Sequence, residues 1–597
     1  MSAGPRLLLA LAAVAVAFAA ADTYVVVLAL PDMMESVGVP LDQLQRGAPI
    51  VSGFLLGYVA MLPLIGRMAD LRGRLPVLAG ALMLFGAGSL VTAAAYDLPS
   101  LVTGRFLQGV GGGGMVPATL ALVADLYPVE RRGVPLGVVS AVQELGSVIG
   151  PLYGALILAV ADWRVIFAVN LVVGVALAAA VRAIRFDGAP RASAQDTAGS
   201  LPNGDPPRRR GAPTIDWAGV GFALVTLVAA ALVVLQPTTL VMDVTWGRLF
   251  IPVAGTTRWL TPLGLVTLVA ALLFLVRCWT ARRPLVDIRG WWRAALHADL
   301  PGALFLAAAL GGVILAFATA DPRVEVFARQ GWWYLLAAAV ATGVLVWHLR
   351  TEEAPIIPRG ALRRAAARGS LLVSFFVGAA LIAALIDIPI FARTTVYADS
   401  QLLAALVLVR FLVALPVGAV VGGYLSRRYP AGALTAVGMV LAAVGFLWMS
   451  RWDLTSLSGW SATVPLVIGG LGFGLALAPV NATVLAATDP AVHGVASAGV
   501  VVARMMGMLV GVSALTTIGL RRYYAEAGDL PPPLQVCGGT TTRCDAFDQL
   551  LREAGIAQEH TVFAGAAVLA LVAAGLAVVL FRGVETRALP SRPWTDP

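Results

Sequence analysis

The chain of 597 residues contains no lysine, so arginine supplies all 42 of its basic side chains. The phosphate-binding loop of P-loop ATPases needs a lysine, and its absence excludes ATP hydrolysis by that route. Histidine is also scarce, with four residues, and none belongs to an H-E-x-x-H zinc motif. These absences disfavour an intramembrane acyltransferase or protease. We therefore predict no catalytic residues, no metal site and no cofactor, and any pumping must draw on an ion gradient or on another subunit.

Charged residues are few, at 13% of the chain, whereas hydrophobic residues make up 59% and the mean hydropathy is +0.86. A soluble protein of this length cannot bury so much apolar surface, so lipid must be the solvent for most of the chain. The net charge of +9 would suit a nucleic-acid partner, but the arginines are concentrated in alternate loops between apolar runs. By the positive-inside rule, this pattern predicts a multi-pass protein of the cytoplasmic (cell) membrane, with both termini cytoplasmic and no nucleic-acid partner. The arginine-rich loops lie at 67–74, 131–132, 182–210, 277–293, 350–368, 427–428 and 582–592.

Cysteine is the third scarce residue, with three in the chain. Cys537 and Cys544 lie in one segment, PPPLQVCGGTTTRC, which the charge pattern places outside the cell. We predict a disulfide between them, because that side of the membrane is oxidising. Cys278 lies near a cytoplasmic helix end, and we interpret it as a small apolar residue.

The N-terminal apolar run at 7–30 is long enough to cross a bilayer at about 1.5 Å per residue. Arg6, the apolar core and the alanines before Asp22 also fit a cleavable signal peptide. We favour a retained first span, because the run continues to Pro31 and its removal would invert the charge pattern of every later loop. A carboxylate at the depth of Asp22 costs about 2.5–3.5 kcal/mol on insertion scales, which marks Asp22 as a functional-site candidate.

Sixteen candidate spans follow one another in blocks of six, four and six. They predict an all-α polytopic membrane protein in which two six-helix halves flank an inserted helical block. Fourteen spans is the alternative, if one hairpin lies on the membrane surface. The chain then divides into an N-terminal six-helix bundle (1–186), a disordered cytoplasmic linker (187–213), inserted transmembrane hairpins (214–365) and a C-terminal six-helix bundle (366–597). The last bundle carries an external loop at 521–559, in which we expect a short helix at 545–555. The predicted spans lie near 7–30, 47–66, 75–95, 100–125, 134–160, 163–183, 216–236, 259–280, 299–320, 332–349, 369–393, 401–426, 432–450, 463–486, 495–520 and 560–582.

A charged motif, GRMADLRGRLPVL (66–78), links the second and third spans on the arginine-rich side. Gly66 and Gly73 allow close helix contact and a tight turn. Asp70 can face a helix N-terminus, where a carboxylate is favoured, and Arg72 and Arg74 can hold it there. Through this motif the chain resembles the major facilitator superfamily, whose signature is G-x-L-A-D-R-x-G-R-[RK].

Two further motifs carry the same resemblance. RFLQGVGGGG (105–114) is similar to the family's R-x-x-Q-G motif and contributes Arg105. GSVIGPLYG (146–154) is similar to the G-x-x-x-G-P-x-x-G motif of antiporters. Its glycines, Gly146, Gly150 and Gly154, permit tight packing, and Pro151 frees backbone groups so that the helix can bend. The resemblance implies a two-half transporter fold in which these motifs serve gating.

Four segments resemble more closely the actinobacterial (mycobacterial-type) lipid and multidrug exporters, drug:proton antiporters with extra central helices that act with a periplasmic lipoprotein. These segments are 22–27, 143–154, 414–423 and 500–512. The resemblance implies proton-coupled export of very hydrophobic molecules, with triacylglycerides as the best-known cargo. It also implies a periplasmic lipoprotein as a partner and the proton gradient as the energy source.

Charged residues inside the spans fall at matched depths, which makes them ion-pair candidates. The pairs are Asp22 with Arg105, Glu144 with Arg504, and Asp387 with Arg410. A buried pair can also be a structural staple between helices, and that reading stays open for Asp387–Arg410, whose helices are hairpin neighbours. For Asp22 and Glu144 we favour proton coupling, because burial favours the protonated carboxyl and a nearby arginine favours the ionised one. Arg504 would neutralise one of these acids in one conformation and leave it free to take a proton in the other.

Three functions remain after these exclusions. The first is a proton-coupled secondary active exporter of hydrophobic compounds, either lipids such as triacylglycerides or lipophilic drugs, working across the cytoplasmic membrane by alternating access. The alternative is a polyspecific antiporter of cationic drugs and protons. A non-transporting membrane sensor or scaffold on the same fold is the third. Asn170 and Asn481 lie within spans, and we interpret them as hydrogen-bond anchors between helices rather than as substrate ligands.

Overall fold

The computed structural model describes residues 3–39, 44–128, 131–184, 216–255, 257–281, 284–318, 331–353, 355–397, 400–537 and 544–584. These ranges form nineteen α-helices and contain no β-strand. The predicted linker at 187–213 lies outside them. The helices are α1 (Ala3–Ser36), α2 (Leu44–Arg72), α3 (Arg74–Ala93), α4 (Leu98–Leu126), α5 (Gly133–Leu158), α6 (Arg164–Ala183), α7 (Trp217–Leu235), α8 (Thr238–Val241), α9 (Pro262–Thr280), α10 (Ile288–His297), α11 (Leu300–Ala318), α12 (Gly331–Thr351), α13 (Ala365–Thr394), α14 (Gln401–Leu425), α15 (Ala431–Met449), α16 (Thr463–Ala487), α17 (His493–Gly528), α18 (Pro533–Val536) and α19 (Asp545–Leu580).

Backbone chemistry explains why the apolar runs form helices and where the helices begin. In lipid every N–H and C=O must be paired within the chain, and a helix does this within one segment. Short polar side chains accept hydrogen bonds from the free N–H groups of the first turn. The Asp97 side chain accepts one from Ser100 N at the start of α4, and the Thr261 side chain accepts one from Gly264 N at the start of α9. Gly73, at φ 95°, separates α2 from α3 in a conformation that suits glycine.

Each of the sixteen predicted spans coincides with one of these helices. By length and composition, fourteen helices of the described ranges can cross a membrane alone, and fifteen can if α10 and α11 form one bent span. Fourteen is also the number given by the alternative prediction, but the two helices that this count leaves out, α5 and α11, do not form one hairpin. Fewer than sixteen helices are counted for two reasons. The chain bends by 75° between α10 and α11, and α5 includes side chains outside the described set.

The two predicted halves have the same internal packing. In the first half, α1 packs on α5, α2 on α4, and α3 on both α4 and α6. In the second half, α13 packs on α17, α14 on α16, and α15 on both α16 and α19. The halves meet along two seams, α5 against α14 and α2 against α17. This repeat places helices that share a role on opposite sides of one central space.

The inserted block consists of two hairpins, α7–α9 and α11–α12. The second hairpin is attached to the seam between the halves, since α11 packs on both α2 and α17. Asp299, at φ 66°, turns the chain from α10 into α11. Its carboxylate accepts hydrogen bonds from Ile356 N (2.8 Å) and Gly302 N (2.9 Å) and lies 2.7 Å from His348 Nε2. One buried acid thus holds the bend and both ends of this hairpin together.

The segment predicted as the external loop 521–559 is mostly helical. α17 continues to Gly528 and α19 begins at Asp545, so each is 36 residues long. The expected short helix at 545–555 is the first part of α19 rather than a separate element. The apolar residues that follow it continue the same series of backbone hydrogen bonds to Leu580. Cys537 and Cys544 are joined by a disulfide, the pairing expected from the sequence.

Candidate functional site

Asp22 lies at the centre of a buried polar network in the first half. Its carboxylate accepts hydrogen bonds from Arg105 Nη1 (2.8 Å), Gln108 Nε2 (2.9 Å) and Asn170 Nδ2 (2.6 Å). Asp22 is 2% exposed, and the three donors are no more than 1% exposed. A desolvated carboxylate of this kind persists only with a countercharge and hydrogen bonds, and the network supplies both.

Three helices bring the network together. Asp22 is on α1, Arg105 and Gln108 are one turn apart on α4, and Asn170 is on α6. Arg105 Nη1 also donates to Gln108 Oε1 at 2.6 Å, and Gln108 Nε2 reaches Ser89 Oγ on α3 at 3.0 Å. The network therefore joins four helices, and a change in the charge of Asp22 would alter hydrogen bonds that involve all of them.

Aromatic rings complete the shell around Arg105. Its guanidinium lies over the Phe54 ring at 4.4 Å and near the Phe167 ring at 5.7 Å. Its Nε donates to the Ile50 carbonyl oxygen at 3.4 Å. These contacts hold the cation in place by cation–π attraction even if Asp22 takes a proton.

Glu144 and Arg504 form the second predicted pair and join the two halves. Glu144 on α5 and Arg504 on α17 approach to 3.6 Å between Oε1 and Nη1. Both line a cavity of about 240 Å³ between the halves. A second cavity, of about 20 Å³, lies against the same pair and is also lined by Ser140 and Asn481. That volume is enough for one water molecule, and its wall mixes polar with apolar side chains.

The larger cavity is lined almost wholly by apolar side chains. α17 contributes three methionines to it, and α11 of the inserted block contributes Ile314, which is 2% exposed. Tyr58, Thr23 and Gln143 are the polar residues of the wall apart from Glu144 and Arg504. The full lining is Ala20, Thr23, Phe54, Leu55, Tyr58, Val59, Gln143, Glu144, Ile314, Leu381, Ile382, Arg504, Met505, Met506, Met508, Leu509 and Val512.

The three glycines of the 146–154 motif lie where α5 packs on α1 within the first half. A Cβ atom would come within 2.2 Å of Ala17 O at Gly146, and within 2.4 Å of Ala21 O at Gly150. At Gly154 it would come within 2.5 Å of the Val25 side chain. The missing side chains let the two helices approach backbone to backbone next to Asp22. Pro151 is part of α5, and its side chain lies outside the described residues.

The 66–78 motif closes the arginine-rich end of the molecule, meaning the end that carries the α2–α3 loop. Asp70 accepts hydrogen bonds from Gly494 N (2.9 Å) and Val495 N (3.2 Å) at the N-terminus of α17 in the opposite half. Arg74 holds this carboxylate at 3.1 Å. Gly66 packs so closely on Gly494 that a Cβ atom would lie 2.6 Å from its carbonyl oxygen. The negative charge at a helix N-terminus stabilises this contact between the halves.

Arg72 differs from the prediction, because it contacts the inserted block rather than Asp70. Its Nη2 donates to Asp287 Oδ2 at 2.6 Å, and its guanidinium lies 4.5 Å from the Trp291 ring. A hydrogen bond from Gly290 N and the Arg72 guanidinium lower the pKa of Asp287 below its usual value. The block is thus attached to the motif loop by a partly exposed ion pair.

The predicted pair Asp387–Arg410 is not formed in the described structure. Arg410 Nη1 donates to Thr463 Oγ1 on α16 at 3.1 Å. Asp387, on α13, is buried and is 6% exposed. The prediction was wrong because equal depth in two spans does not determine which helix face each residue occupies.

Sequence reasoning missed Gln108 and Ser89, which belong to the Asp22 network. Asn170 on α6 donates to Asp22 on α1, as expected of a hydrogen-bond anchor between helices. The R-x-x-Q-G motif contained the signal for Gln108, since a residue three positions after Arg105 shares its helix face. Within the described ranges, no group of three or more His, Cys, Asp and Glu side chains has a geometry that could hold a metal ion.

Comparison with known proteins identifies the family. The model of the Major Facilitator Superfamily matches residues 12–320. A triacylglyceride transporter of Mycobacteroides abscessus is 33% identical over 521 residues, covering 85% of this chain and 81% of that protein. A triacylglyceride transporter of Mycobacterium tuberculosis is 33% identical over 538 residues, covering 88% and 84%. A probable triacylglyceride transporter of Mycobacterium leprae is 30% identical over 607 residues and covers 99% of both chains.

Solved structures show the same fold at low sequence identity. The human organic anion transporter MFSD10 superposes with a TM-score of 0.54 at 12% identity, covering 96% of this chain and 100% of that one. The proton:xylose symporter XylE gives a TM-score of 0.50 at 14% identity, covering 96% and 95%. Two matched six-helix halves, the motif that closes one end between them and these relatives agree, and the chain belongs to the major facilitator superfamily.

Proposed function

We propose that this chain is a proton-coupled exporter of very hydrophobic molecules, with neutral lipids such as triacylglycerides as its substrates. The observation that carries the proposal is the cavity of about 240 Å³ between the halves. Its wall is apolar except for a few groups, and methionines supply flexible, polarizable surface that adapts to ligands of irregular shape. The names of the mycobacterial relatives support the same substrate class.

The charges of the cavity favour a neutral substrate over a cationic drug. Glu144 is the acid of the wall, and Arg504 at 3.6 Å offsets its charge. A cation entering the cavity would therefore meet no uncompensated negative group, and it would lose its hydration shell. A neutral lipid has no ionic hydration shell to lose on entering an apolar cavity. The cationic multidrug antiporter remains the second candidate, because a conformation that separates Arg504 from Glu144 would leave the Glu144 carboxylate free to attract a cation.

Proton coupling is proposed for Asp22 and Glu144. Protonation of Glu144 would weaken its attraction to Arg504 and so loosen the link between α5 and α17. Protonation of Asp22 would weaken its bond to Arg105 and release the contact between α1 and α4. The proton on Glu144 would therefore act directly on a contact between the halves, whereas the proton on Asp22 would act on the packing of α1 and α4 within the first half.

We place the arginine-rich end, with both termini, in the cytoplasm of the cell membrane. This orientation follows from the positive-inside rule. The contact of Asp70 with α17 then closes the cytoplasmic side of the cavity, so the structure corresponds to the half of the cycle that discharges cargo outward. The disulfide-linked segment between α17 and α19 then projects outside, and we propose it as the docking position of a periplasmic lipoprotein partner.

Lipid transport is tested by reconstitution in liposomes with labelled triacylglyceride in the inner leaflet and an imposed pH gradient. Transfer of label to an external acceptor is measured for the wild type and for Leu509→Arg, which places a charge in the cavity wall. Val579→Arg, at a 58% exposed position outside the cavity, is the matched control for added charge. We expect the wild type and the control to transfer lipid and Leu509→Arg to fail. Transfer of ethidium but not lipid by the wild type would favour the drug antiporter, and transfer of neither by folded protein would favour the sensor.

A further inference from the structure

A groove lies at the end of α15 that is opposite to the arginine-rich end of the molecule. It has a volume of about 460 Å³ and shares no lining residue with the cavity between the halves. Its lining comes from the last turns of α15 and from the connection between α15 and α16. About fifteen water molecules would occupy that volume in the liquid, so the groove has room for a sizeable polar group.

An apolar face of α15 leads into this groove. Its side chains are exposed and recur every three or four residues, which is the spacing of one helix face. From the first to the last of them the face is about 17 Å long at 1.5 Å per residue, close to half of a hydrocarbon core of about 30 Å. One acyl chain of a single leaflet can therefore lie along it. The face consists of Val437, Val440, Leu441, Val444, Leu447 and Trp448.

Two hydrogen-bond donors stand at the end of the apolar face. Arg451 follows Trp448 by three residues, and Ser461 belongs to the connection that leads to α16; both are exposed and line the groove. Neither the guanidinium nor the hydroxyl has a hydrogen-bond or ion-pair partner among the described residues. A guanidinium presents parallel N–H groups that match the oxygens of a phosphate, and a hydroxyl adds a further donor. The groove thus combines an apolar face with a site for an anion.

The acid nearest to Arg451 in the sequence, Asp453, is engaged within its own turn. Its Oδ1 accepts hydrogen bonds from Thr455 N, Thr455 Oγ1 and Ser456 Oγ, each at 2.9 Å. Asp453 does not line the groove, and it forms no ion pair with Arg451 in the described structure. The positive charge of Arg451 is therefore available to a ligand.

Trp452 gives the groove a rigid floor. It is 3% exposed, and its ring packs on Phe391 at 5.2 Å and on Phe563 at 6.2 Å. Its carbonyl oxygen contacts His560 Nε2 of α19. The backbone next to Arg451 is thus fixed before a ligand arrives, which lowers the entropy cost of binding.

We propose that this groove binds a membrane phospholipid, with its phosphate on Arg451 and Ser461 and an acyl chain along the apolar face of α15. An uncharged lipid would leave the guanidinium without an anion, so charge complementarity favours the phosphate. Trp448 lies between the chain and the headgroup, at the level of the membrane that tryptophan prefers. Because the groove is separate from the cavity between the halves, this phospholipid is a bound constituent of the protein rather than its cargo.

Photolabelling of the purified full-length protein in detergent tests the site. The probe is phosphatidylglycerol with a photoreactive diazirine in one acyl chain, and mass spectrometry identifies the labelled peptides. We expect label within residues 437–462, and roughly tenfold less of it in Arg451→Gln, because a charge-assisted hydrogen bond is lost. Arg393→Gln is the matched control, since Arg393 is exposed at the same end of the molecule but does not line the groove. It should label as the wild type does. Absence of label from 437–462, or equal labelling of Arg451→Gln and the wild type, would overturn the proposal.

Competition on the wild type gives a second test that needs no variant. Unlabelled phosphatidylglycerol should displace the probe from 437–462, whereas diacylglycerol with the same chains and at the same mole fraction should not, because it has no phosphate. Equal displacement by the two lipids would show that the groove does not recognise the phosphate and would contradict the site. Neither test measures transport, so a failure of the proposed lipid export would leave the phospholipid site standing, and the reverse also holds.

Discussion

Three donors from two helices converge on Asp22, and this convergence explains how an acid can remain inside a span. The carboxylate is buried to the same extent as Arg105, Gln108 and Asn170. Removing one partner of a buried pair is more costly than the pair is favourable, because an uncompensated charge is left behind. Substitutions in this network should therefore lower the stability of the protein as well as its transport activity.

Arg105→Ala should destabilise the protein by about 3–5 kcal/mol at neutral pH, because it strands the Asp22 carboxylate. Thermal unfolding in detergent measures the effect. Arg410→Ala is the matched control, since its guanidinium donates to a hydroxyl group rather than to an acid. Equal destabilisation by the two variants would show that Arg105 contributes only packing.

The ion pair between Arg72 and Asp287 should respond to acid. Hydrogen bonding to Gly290 N and the Arg72 guanidinium lower the pKa of Asp287, so its stabilising effect is present above the ordinary carboxyl pKa, about 3.9, and is lost as the pH falls through the lowered value. The Asp287 side chain is 51% exposed, so the effect should be below about 1 kcal/mol.

The measurement is the stability difference between the wild type and Asp287→Asn from neutral pH downward, at low and high salt. The difference should shrink with acid and with salt. Asp243→Asn is the control for the salt effect alone, because Asp243 accepts hydrogen bonds from Thr245 and Trp246 and has no arginine partner in the described structure. A stability difference that grows as the pH falls would contradict a lowered pKa for Asp287.

Depth along a span is enough to predict two of the three buried pairs, Asp22–Arg105 and Glu144–Arg504. It fails for Asp387, because depth specifies a level in the membrane but not the direction in which a side chain points. Gln108 lies inside a motif in which the arginine is the charged residue, so its uncharged amide drew no prediction.

At the scale of helices, the glycine ridge of α5 determines how closely α1 can approach. Gly146→Ala should separate the two helices, because the added Cβ atom would lie 2.2 Å from Ala17 O, and both stability and transport should fall. Gly575→Ala is the matched control on α19, since nothing lies within 4 Å of the added atom. There the change should be neutral or slightly stabilising, by up to about 1 kcal/mol. Thermal unfolding and lipid transfer are measured for both, and equal behaviour would mean that the α1–α5 contact can relax.

The inserted helix α11 lines the cavity and also packs on the seam between the halves. Ile314→Trp should obstruct the cavity and reduce lipid transfer, because this side chain lies in the cavity wall. Leu304→Trp, on the same helix but 50% exposed, should leave transfer near the wild-type rate. Equal loss in both variants would indicate that α11 serves only to hold the fold. The positions of the inserted helices were predictable from hydropathy, but their contact with the cavity depends on packing that periodicity does not encode.

At the scale of the whole molecule, the repeat of helix packing between the halves accounts for the position of every functional group described above. The halves pack on each other along the seams α5–α14 and α2–α17, and Glu144–Arg504 and Asp70–α17 each bridge the halves. The two-half fold with its insertion could be predicted from the order of spans and the motifs. The closure of one end could not, because Asp70 binds backbone N–H groups more than 400 residues away in the sequence.

The most direct test of proton-coupled transport is substrate-driven proton flux in liposomes that contain the wild type or Asp22→Asn under a pH gradient. Labelled triacylglyceride is the cargo, and an internal pH indicator follows the protons. The account predicts proton movement that depends on the lipid in the wild type and is reduced to the level of empty liposomes by Asp22→Asn, with the variant still folded. Lipid transfer by the wild type without proton movement, or unchanged flux in Asp22→Asn, would contradict it.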